Sequence, residues 1–466
     1  MTNPDFFPFQ ATSKADWRKQ IEKDLKGKNF EETLESKVWS TIKQSPYYDS
    51  SDSQGIATQL RFHPEPELSV LGSRIWANAV EVSSSSPKAD NATILYQLQN
   101  GADALIIHAS ESTNWSILLK DVQFEYISVY ILPEKSIRDA ISFLNYLEQV
   151  KFPSGKLIGA ILWSPTGSLF EEERDWTNAL KDAHSLIEKT KPYPNFSPMT
   201  FDFSRYANAG ATGLTEVEFG LGEIIETASR LKMQGVELQE WFSKICIHAA
   251  VGEPHFPEMV KLKAIRILTS ELAKKFDVNL GIEQIQVIAS SSLWTKSLID
   301  KNNNFIRQTY EGLAGILGGC NVLWVRKWEG DESNALNLRI ARNVSSVLKE
   351  ESYLDKVMDP MAGSFYLESL QKEFIKLIQA TISKLEKEGG WLSHFQSKAV
   401  HERVKSERLT AQEKVKGNQL SKVGVNRYQA SGKLINNLAF QPIHESGYEL
   451  QPSRETYLIE QEILKK

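Results

Sequence analysis

The hydrophobic pattern of this chain consists of short, near-continuous apolar runs separated by longer stretches with helical spacing. Eight runs stand out, at 75–82, 104–109, 127–132, 157–163, 199–203, 244–249, 285–289 and 321–325. Their lack of polar alternation predicts strands buried on both faces, as in a parallel sheet covered by helices. The intervening stretches 136–150, 171–189, 214–233, 256–275 and 305–317 read as helices. Eight strands alternating with helices over roughly 250–300 residues have the size and rhythm of an α/β fold of the (β/α)8 TIM-barrel type. A doubly wound open sheet is the alternative. The sequence lacks its G-x-G-x-x-G phosphate fingerprint and a Walker A loop, so the barrel is favoured.

The stretch 303–343 shows one repeat in full: a helix, a Gly318-Gly319 break, a short strand, a polar loop and another helix. Barrels place their chemistry in loops at the carboxyl ends of strands. Here that loop offers Arg326, Lys327, Trp328, Glu329, Asp331 and Glu332, with no histidine or cysteine. Either the site is purely electrostatic, or the scaffold has been kept and the reaction lost.

Three segments are expected: an N-terminal arm (1–70), the barrel (71–395) and a C-terminal helical extension (396–466). In the arm, Trp17, Ile21 and Leu25 form an apolar stripe on a helix that stops at Gly27. An aromatic-rich extended piece follows, with Phe30, Leu34, Trp39, Pro46, Tyr47 and Tyr48. Such an arm must bury its aromatics either on its own domain or on a partner subunit, since aromatics concentrate in interface cores. The stretch 398–422 is rich in Lys, Arg, Glu and Gln and reads as a solvated helix or loop. A polar helix is expected from about residue 455.

Composition narrows the class. The 466 residues are 41% hydrophobic and 24% charged, which is ordinary for a globular protein of this size. A net charge of -5 argues against nucleic-acid binding. Two cysteines, Cys246 and Cys320, are too few for a disulfide scaffold and fit a reducing cytosol. The first residues carry no basic or long apolar signal region, and no run approaches the roughly 18 apolar residues that cross a bilayer. A cytoplasmic protein away from membranes is expected.

Local chemistry is sparse. Cys246, His248 and His255 are the nearest approach to a metal cluster, but their spacing matches no structural zinc pattern. A core cysteine and a histidine in a barrel-mouth loop are the better reading. Gly312, Gly315, Gly318 and Gly319 fit close helix packing and a helix end better than phosphate binding. No G-x-S-x-G elbow supports serine hydrolysis. The segment from Asp359-Pro360 to Tyr366 reads as a structural turn.

Taken together, several stretches resemble the methylmalonyl-CoA mutase family. They are Trp17, Ile21, Leu25-Lys26-Gly27-Lys28 and Phe30; Asn208-Ala209-Gly210-Ala211; and Glu258 with Val260 to Arg266. Ile340 to Asn343, Asp359-Pro360 with Ala362-Gly363-Ser364, Tyr366 and Glu368, and Glu388-Gly389-Gly390 complete the order. The likeness spans about residues 14–430 and is nearest to the small (beta) subunit of the two-chain bacterial enzyme. The family implies a barrel that binds a CoA thioester along its axis and a separate domain carrying adenosylcobalamin through a D-x-H-x-x-G histidine. The reaction implied is radical isomerisation of methylmalonyl-CoA to succinyl-CoA, with the cofactor supplying the difficult chemistry.

The chain departs from the catalytic pattern at the residues that matter. Where catalytic chains of the family carry Gly-Tyr-His, it reads Phe203, Ser204, Arg205. Where they carry Gly-His-Thr-Gln-Ser-Leu-His, it reads Gly318 through Trp324, so Gly319, Asn321 and Trp324 replace both histidines and the glutamine. The D-x-H-x-x-G motif is absent, as is a counterpart of the Gln-Asn-Asp run. The resemblance therefore implies a non-catalytic isomerase subunit, inactive alone and without a cobalamin-binding domain, that binds neither cofactor nor metal. Its partner would be a homologous large catalytic chain, joined as a heterodimer, that holds adenosylcobalamin and meets methylmalonyl-CoA and succinyl-CoA. Trp17, Ile21, Leu25, Trp39, Tyr47 and Tyr48 are the expected contacts to that partner. An active barrel served by a separate cobalamin protein, and a CoA-ligand binding module, are the alternatives.

Overall fold

The computed structural model describes residues 12–52, 75–171, 175–327, 335–429 and 440–464. The arm opens with α1 (Lys14–Asp24), started by a capping box in which Ser13 Oγ accepts the Asp16 N–H and the Asp16 carboxylate accepts from Ser13. No residue of α1 is buried. The aromatic piece after it is not extended throughout. Phe30–Leu34 is a short helix, and β1 (Ser36–Val38) and β2 (Ile42–Gln44) form an antiparallel hairpin. Its turn places Trp39 and Ser40 at φ of 48° and 62°. Such turns favour glycine or asparagine, so the usual turn signal was missing.

Nine strand pieces form the ring: β3 (Ala77–Val82), β4 (Ala104–Ala109), β5 (Ser128–Pro133), β6 (Ile158–Ile161), β7 (Phe196–Ser197), β8 (Thr200–Asp202), β9 (Cys246–Val251), β10 (Gln286–Ser291) and β11 (Val322–Trp324). Every pairing between them is parallel, in the order β7-β6-β5-β4-β3-β11-β10-β9-β8. The two end pieces are consecutive in the chain, separated only by Pro198 and Met199. Proline cannot donate to the ladder, so the fifth barrel position is split: β8, within the expected run 199–203, pairs with β9, while β7, ahead of that run, pairs with β6. Thr200 N donates to Trp163 O at 2.8 Å and joins the ends. The result is eight strand positions in a closed ring, a (β/α)8 barrel.

Around it lie α2 (Pro87–Gln99), α3 (Ile137–Gln149), α4 (Trp176–Thr190), α5 (Gly213–Met233), α6 (His255–Lys275), α7 (Lys301–Leu317) and α8 (Ala335–Glu350). The alternation of side chains in each strand separates two cores. Leu105 and Ile107 of β4 pack outward against helices, while Ile106 between them packs inside the ring. Gly312 and Gly315 let α7 lie close to its neighbours: a Cβ on Gly312 would meet Val344 of α8 at 3.0 Å, and one on Gly315 would meet Leu323 of β11 at 3.3 Å. A buried ionic trio ties α5, α6 and β9 together. Lys261 Nζ lies 2.6 Å from both Glu216 and Glu258 and donates to Ala250 O at 2.8 Å. All three side chains are buried, so removing Lys261 would strand two carboxylates inside the protein.

The chain then continues through α9 (Phe365–Lys387), α10 (Gly390–Gln396), α11 (Ala399–Lys416) and α12 (Tyr457–Leu464). The stretch expected to be a solvated helix or loop is amphipathic in its helical part: α11 buries Val400, Val404, Val415, Arg408 and Gln412. The described stretch just before α12, the tail, crosses the carboxyl-end mouth of the barrel. Ser453 N donates to Asn208 O at 2.8 Å, beyond β8, and Glu455 N donates to Trp294 O at 2.9 Å, beyond β10. Glu460 accepts from Leu298 N at 2.9 Å.

One packing contact is tight enough to predict. A Cβ on Gly220 of α5 would lie 2.1 Å from the buried ring of Phe203. Gly220→Ala should destabilise the chain by about 1–3 kcal/mol in urea unfolding, despite alanine's better helix propensity. The Gly220→Ala, Phe203→Leu double variant should recover part of that loss. An unchanged midpoint in the single variant would contradict the contact.

Candidate functional site at the barrel mouth

The inside of the ring is filled by Ala79, Ala104, Ile106, Tyr130, Ala160, Cys246, Ile288, Val322 and Trp324, which form one buried cluster. Trp324, the last residue of β11, stacks on His248 at 5.4 Å between ring centroids and 29° between planes. The Arg326 guanidinium lies 4.0 Å from the Trp324 ring centroid. Tyr130 is wholly enclosed, and burial pushes its hydroxyl well above the usual tyrosine range.

The imidazole has a partner on each nitrogen. Asp202 Oδ1 lies 2.9 Å from His248 Nδ1, and Ser290 Oγ lies 2.9 Å from His248 Nε2. Ser204 Oγ donates to Asp202 at 2.6 Å. Strand register brings these groups together, since Asp202 faces His248 directly across β8 and β9. Burial opposes charge on Asp202. The charge and hydrogen bond of His248, the charge of Arg205 and the Ser204 hydroxyl outweigh it and hold the carboxyl well below its usual range. The line Asp202–His248–Ser290 has the connectivity of a hydrolytic triad, but Ser290 has no exposed surface. Its hydroxyl satisfies a buried imidazole and faces no substrate.

A second pair stands beside it. His108 Nε2 lies 2.5 Å from Glu81 Oε1. Burial would raise the Glu81 carboxyl, yet the His108 hydrogen bond and the charges of Arg326, His108 and Lys327 leave it below its ordinary value. Behind the mouth, Glu223 accepts from Tyr206 at 2.5 Å and from Thr166 at 2.6 Å, and Trp391 Nε1 donates to Tyr206 at 2.9 Å. Burial pushes Glu223 up to about 7, although the two hydroxyls and Arg205 oppose it. The described part of the mouth is thus an assembly of charge pairs able to position polar groups.

Of the expected site residues, the structure brings Ser204, Arg205 and Trp324 together at the mouth. Gly319 and Asn321 lie at the opposite end of the ring, because β11 begins just after Asn321. There Arg266 donates to Gly319 O at 2.8 Å and to the Asn321 side chain, and Val287 N donates to Asn321 at 2.9 Å. Arg326 and Lys327 follow β11, while Trp328, Glu329, Asp331 and Glu332 lie outside the described residues. Asp202, Ser290, Glu81 and His108 were not singled out from sequence; their pairing depends on register between neighbouring strands. His248, weighed as a metal ligand and set aside, sits within β9, inside the strand expected at 244–249. Cys246 shares its inward face, and burial pushes that thiol up to about 12. His255 begins α6 instead, and among the described residues no group of three or more metal-capable side chains converges.

The arm residues divide. Trp39 belongs to its own chain: its ring packs on Phe374 at 5.5 Å and sits where a Cβ on Gly213 would come within 2.5 Å. Trp17, half-buried, packs on Tyr47 at 4.9 Å and Phe30 at 6.0 Å. Ile21 and Leu25 are also half-buried. Tyr48 packs on Tyr366 at 5.2 Å. Tyr47, Tyr48, Pro46, Phe365 and Tyr366 line an open groove of about 510 Å³.

These features define a (β/α)8-barrel protein with a filled axis and a charge-paired mouth. The family model described as methylmalonyl-CoA mutase matches residues 170–452, and the chain belongs to that family. It is 24% identical over 441 residues to the methylmalonyl-CoA mutase small subunit of Porphyromonas gingivalis, covering 91% of this chain and 71% of the relative. The small subunit of Streptomyces virginiae is also 24% identical, over 85% of this chain and 67% of its own length. The large subunit of Porphyromonas gingivalis is 27% identical over 51% of this chain and 33% of its own. The likeness read from the sequence motifs therefore holds at the level of the family. Among the described residues no helix is long and apolar enough to cross a membrane.

Glu223 gives a pH signature. Its carboxyl moves from an ordinary 4.5 to about 7 on folding, so between those values the folded chain holds a proton that the unfolded chain has lost. Stability from this group is complete below the lower value and falls as pH rises towards 7, by up to about 3 kcal/mol. Glu223→Gln should flatten the urea-unfolding profile across that window relative to the parent chain. Parallel profiles would contradict the assignment.

Proposed function

We propose that this chain is a non-catalytic subunit of an adenosylcobalamin-dependent methylmalonyl-CoA mutase, working in the cytoplasm. It assembles with a longer homologous chain that carries the reaction from methylmalonyl-CoA to succinyl-CoA. The observation that carries this reading is the filled axis. Trp324 and Tyr130 occupy the interior where the family's resemblance implies a thioester channel, and Trp324 is held against His248. The Gly-Tyr-His positions are also rebuilt: Phe203 and Ser204 are buried, and the former histidine position is Arg205. A CoA-binding module would need that axis open, so the packing speaks against it.

The cofactor does not fit the residues at the mouth either. The tail hydrogen-bonds across this face at Asn208 and Trp294, and His248 already has a partner on each ring nitrogen. The D-x-H-x-x-G histidine is absent from the sequence. The remaining role is assembly. A partner that binds only the folded catalytic chain stabilises it by mass action. The names of the relatives give a precedent, since Porphyromonas gingivalis has both a small and a large subunit of this enzyme.

The groove beside Tyr47 and Tyr48 is the surface offered to that partner. Deleting the arm is a poor test, because Phe30, Val38 and Ile42 are buried. The Trp17→Ala, Tyr47→Ala double variant leaves those residues in place. It should fold, and should lose about tenfold or more in affinity for the large chain in a titration by light scattering, equal to about 1.4 kcal/mol. Undiminished affinity would move the interface elsewhere. The chain supplied with methylmalonyl-CoA and adenosylcobalamin, without the large subunit, should give no succinyl-CoA; turnover would overturn the non-catalytic assignment.

A further inference from the structure

Arg205 brings five N–H donors to the mouth. Among the described residues, none of them meets a hydrogen-bond or ion-pair acceptor, and its Nε is sealed from solvent without a partner. Leaving a buried charged donor unmatched is costly, so the carboxylates nearby matter. Asp202 is engaged by His248 and Ser204, Glu223 by Thr166 and Tyr206, and Glu449 by Ser446 N at 3.1 Å and Gln451 Nε2 at 3.4 Å. Their charges favour a cation here, but they leave its N–H groups unanswered.

The guanidinium is also held in place. It lies over Phe170, 4.6 Å from the ring centroid. Gly167 leaves room behind it, since a Cβ there would come within 3.2 Å of Arg205 Nη2. On its open side is a cleft of about 380 Å³, walled by Phe170 and Glu171 and by the tail at Glu449, Leu450 and Gln451. A planar fork of donors, fixed by stacking and facing a small cleft, suits a bidentate oxyanion. The acids on the cleft wall select further. A bare anion is repelled by Glu449 and Glu171, whereas one that also carries a hydroxyl can donate to a carboxylate or to the Gln451 amide.

The geometry points to a binding site at Arg205 for a small hydroxyl-bearing oxyanion, either a hydrogen phosphate or a hydroxycarboxylate. The site is independent of the subunit assignment and would stand if the chain proved catalytic.

Isothermal titration of the full-length chain with inorganic phosphate and with glycolate tests it, using sodium chloride at matched ionic strength as control. Millimolar or tighter binding of at least one anion is expected. Binding of phosphate alone, or glycolate alone, identifies the chemistry. Arg205→Gln should weaken that binding by about tenfold or more, the loss of one charge-assisted bidentate contact. Arg205→Lys, which keeps the charge without the fork, should fall between the two, and decides the matter if circular dichroism shows that the glutamine variant has not folded. Absence of binding by both anions, or lysine and parent chains of equal affinity, would overturn the site.

Discussion

A closed ring of parallel strands has an inside, and whatever fills it decides what the chain can do. In this barrel, small residues on β3, β4 and β6 (Ala79, Ala104 and Ala160) leave room that Tyr130, Ile288 and Trp324 take up from other strands. Interiors pack near the density of organic crystals, so large side chains in the ring exclude a ligand from the space they fill. A buried histidine packed against them must then be satisfied internally. His248 is, by Asp202 on one nitrogen and Ser290 on the other. The same contacts that make the core solid also consume the groups that might have done chemistry.

Asn208 links this core to the rest of the chain. Its carbonyl accepts the tail at Ser453, its side-chain oxygen accepts Leu293 N at 2.8 Å, and its amide reaches Ser204 at 3.5 Å. Ser204 in turn holds Asp202. One asparagine after β8 therefore joins the tail, the β10 loop and the Asp202–His248 pair. This is where family resemblance becomes physical: the Asn208-Ala209-Gly210-Ala211 motif is a junction. Gly210 sits at φ 103° there, against Trp294 and Arg408, where a side chain would clash.

How much of this could be read from the sequence depended on whether the signal was local. Apolar runs gave the strand positions, because strands buried on both faces leave continuous hydrophobic stretches. The fifth run, 199–203, covers only β8; β7, two residues long and set off by Pro198, gave no apolar run of its own. The β1–β2 hairpin was not legible, because its turn uses Trp39 and Ser40 rather than glycine. The α2 helix was passed over because it buries little besides Ile94 and Gln97. The Asp202–His248 and Glu81–His108 pairs depend on neighbouring strands, and one sequence carries no record of register. The same limit misplaced Gly319 and Asn321: the family motif around β11 runs the full length of a strand, so its first and last residues belong to opposite ends of the barrel.

Phe203 and Gly220 are fitted to each other at the edge of the mouth. The phenyl ring, fully enclosed, occupies the notch that α5 leaves by having no side chain at residue 220. Glycine at 203 would leave a ring-sized hole, at about 3–5 kcal/mol, while a larger residue at 220 has no room until the ring is gone. Each change alone is disfavoured. The two positions are therefore coupled, and a change at 220 is tolerated only together with one at 203.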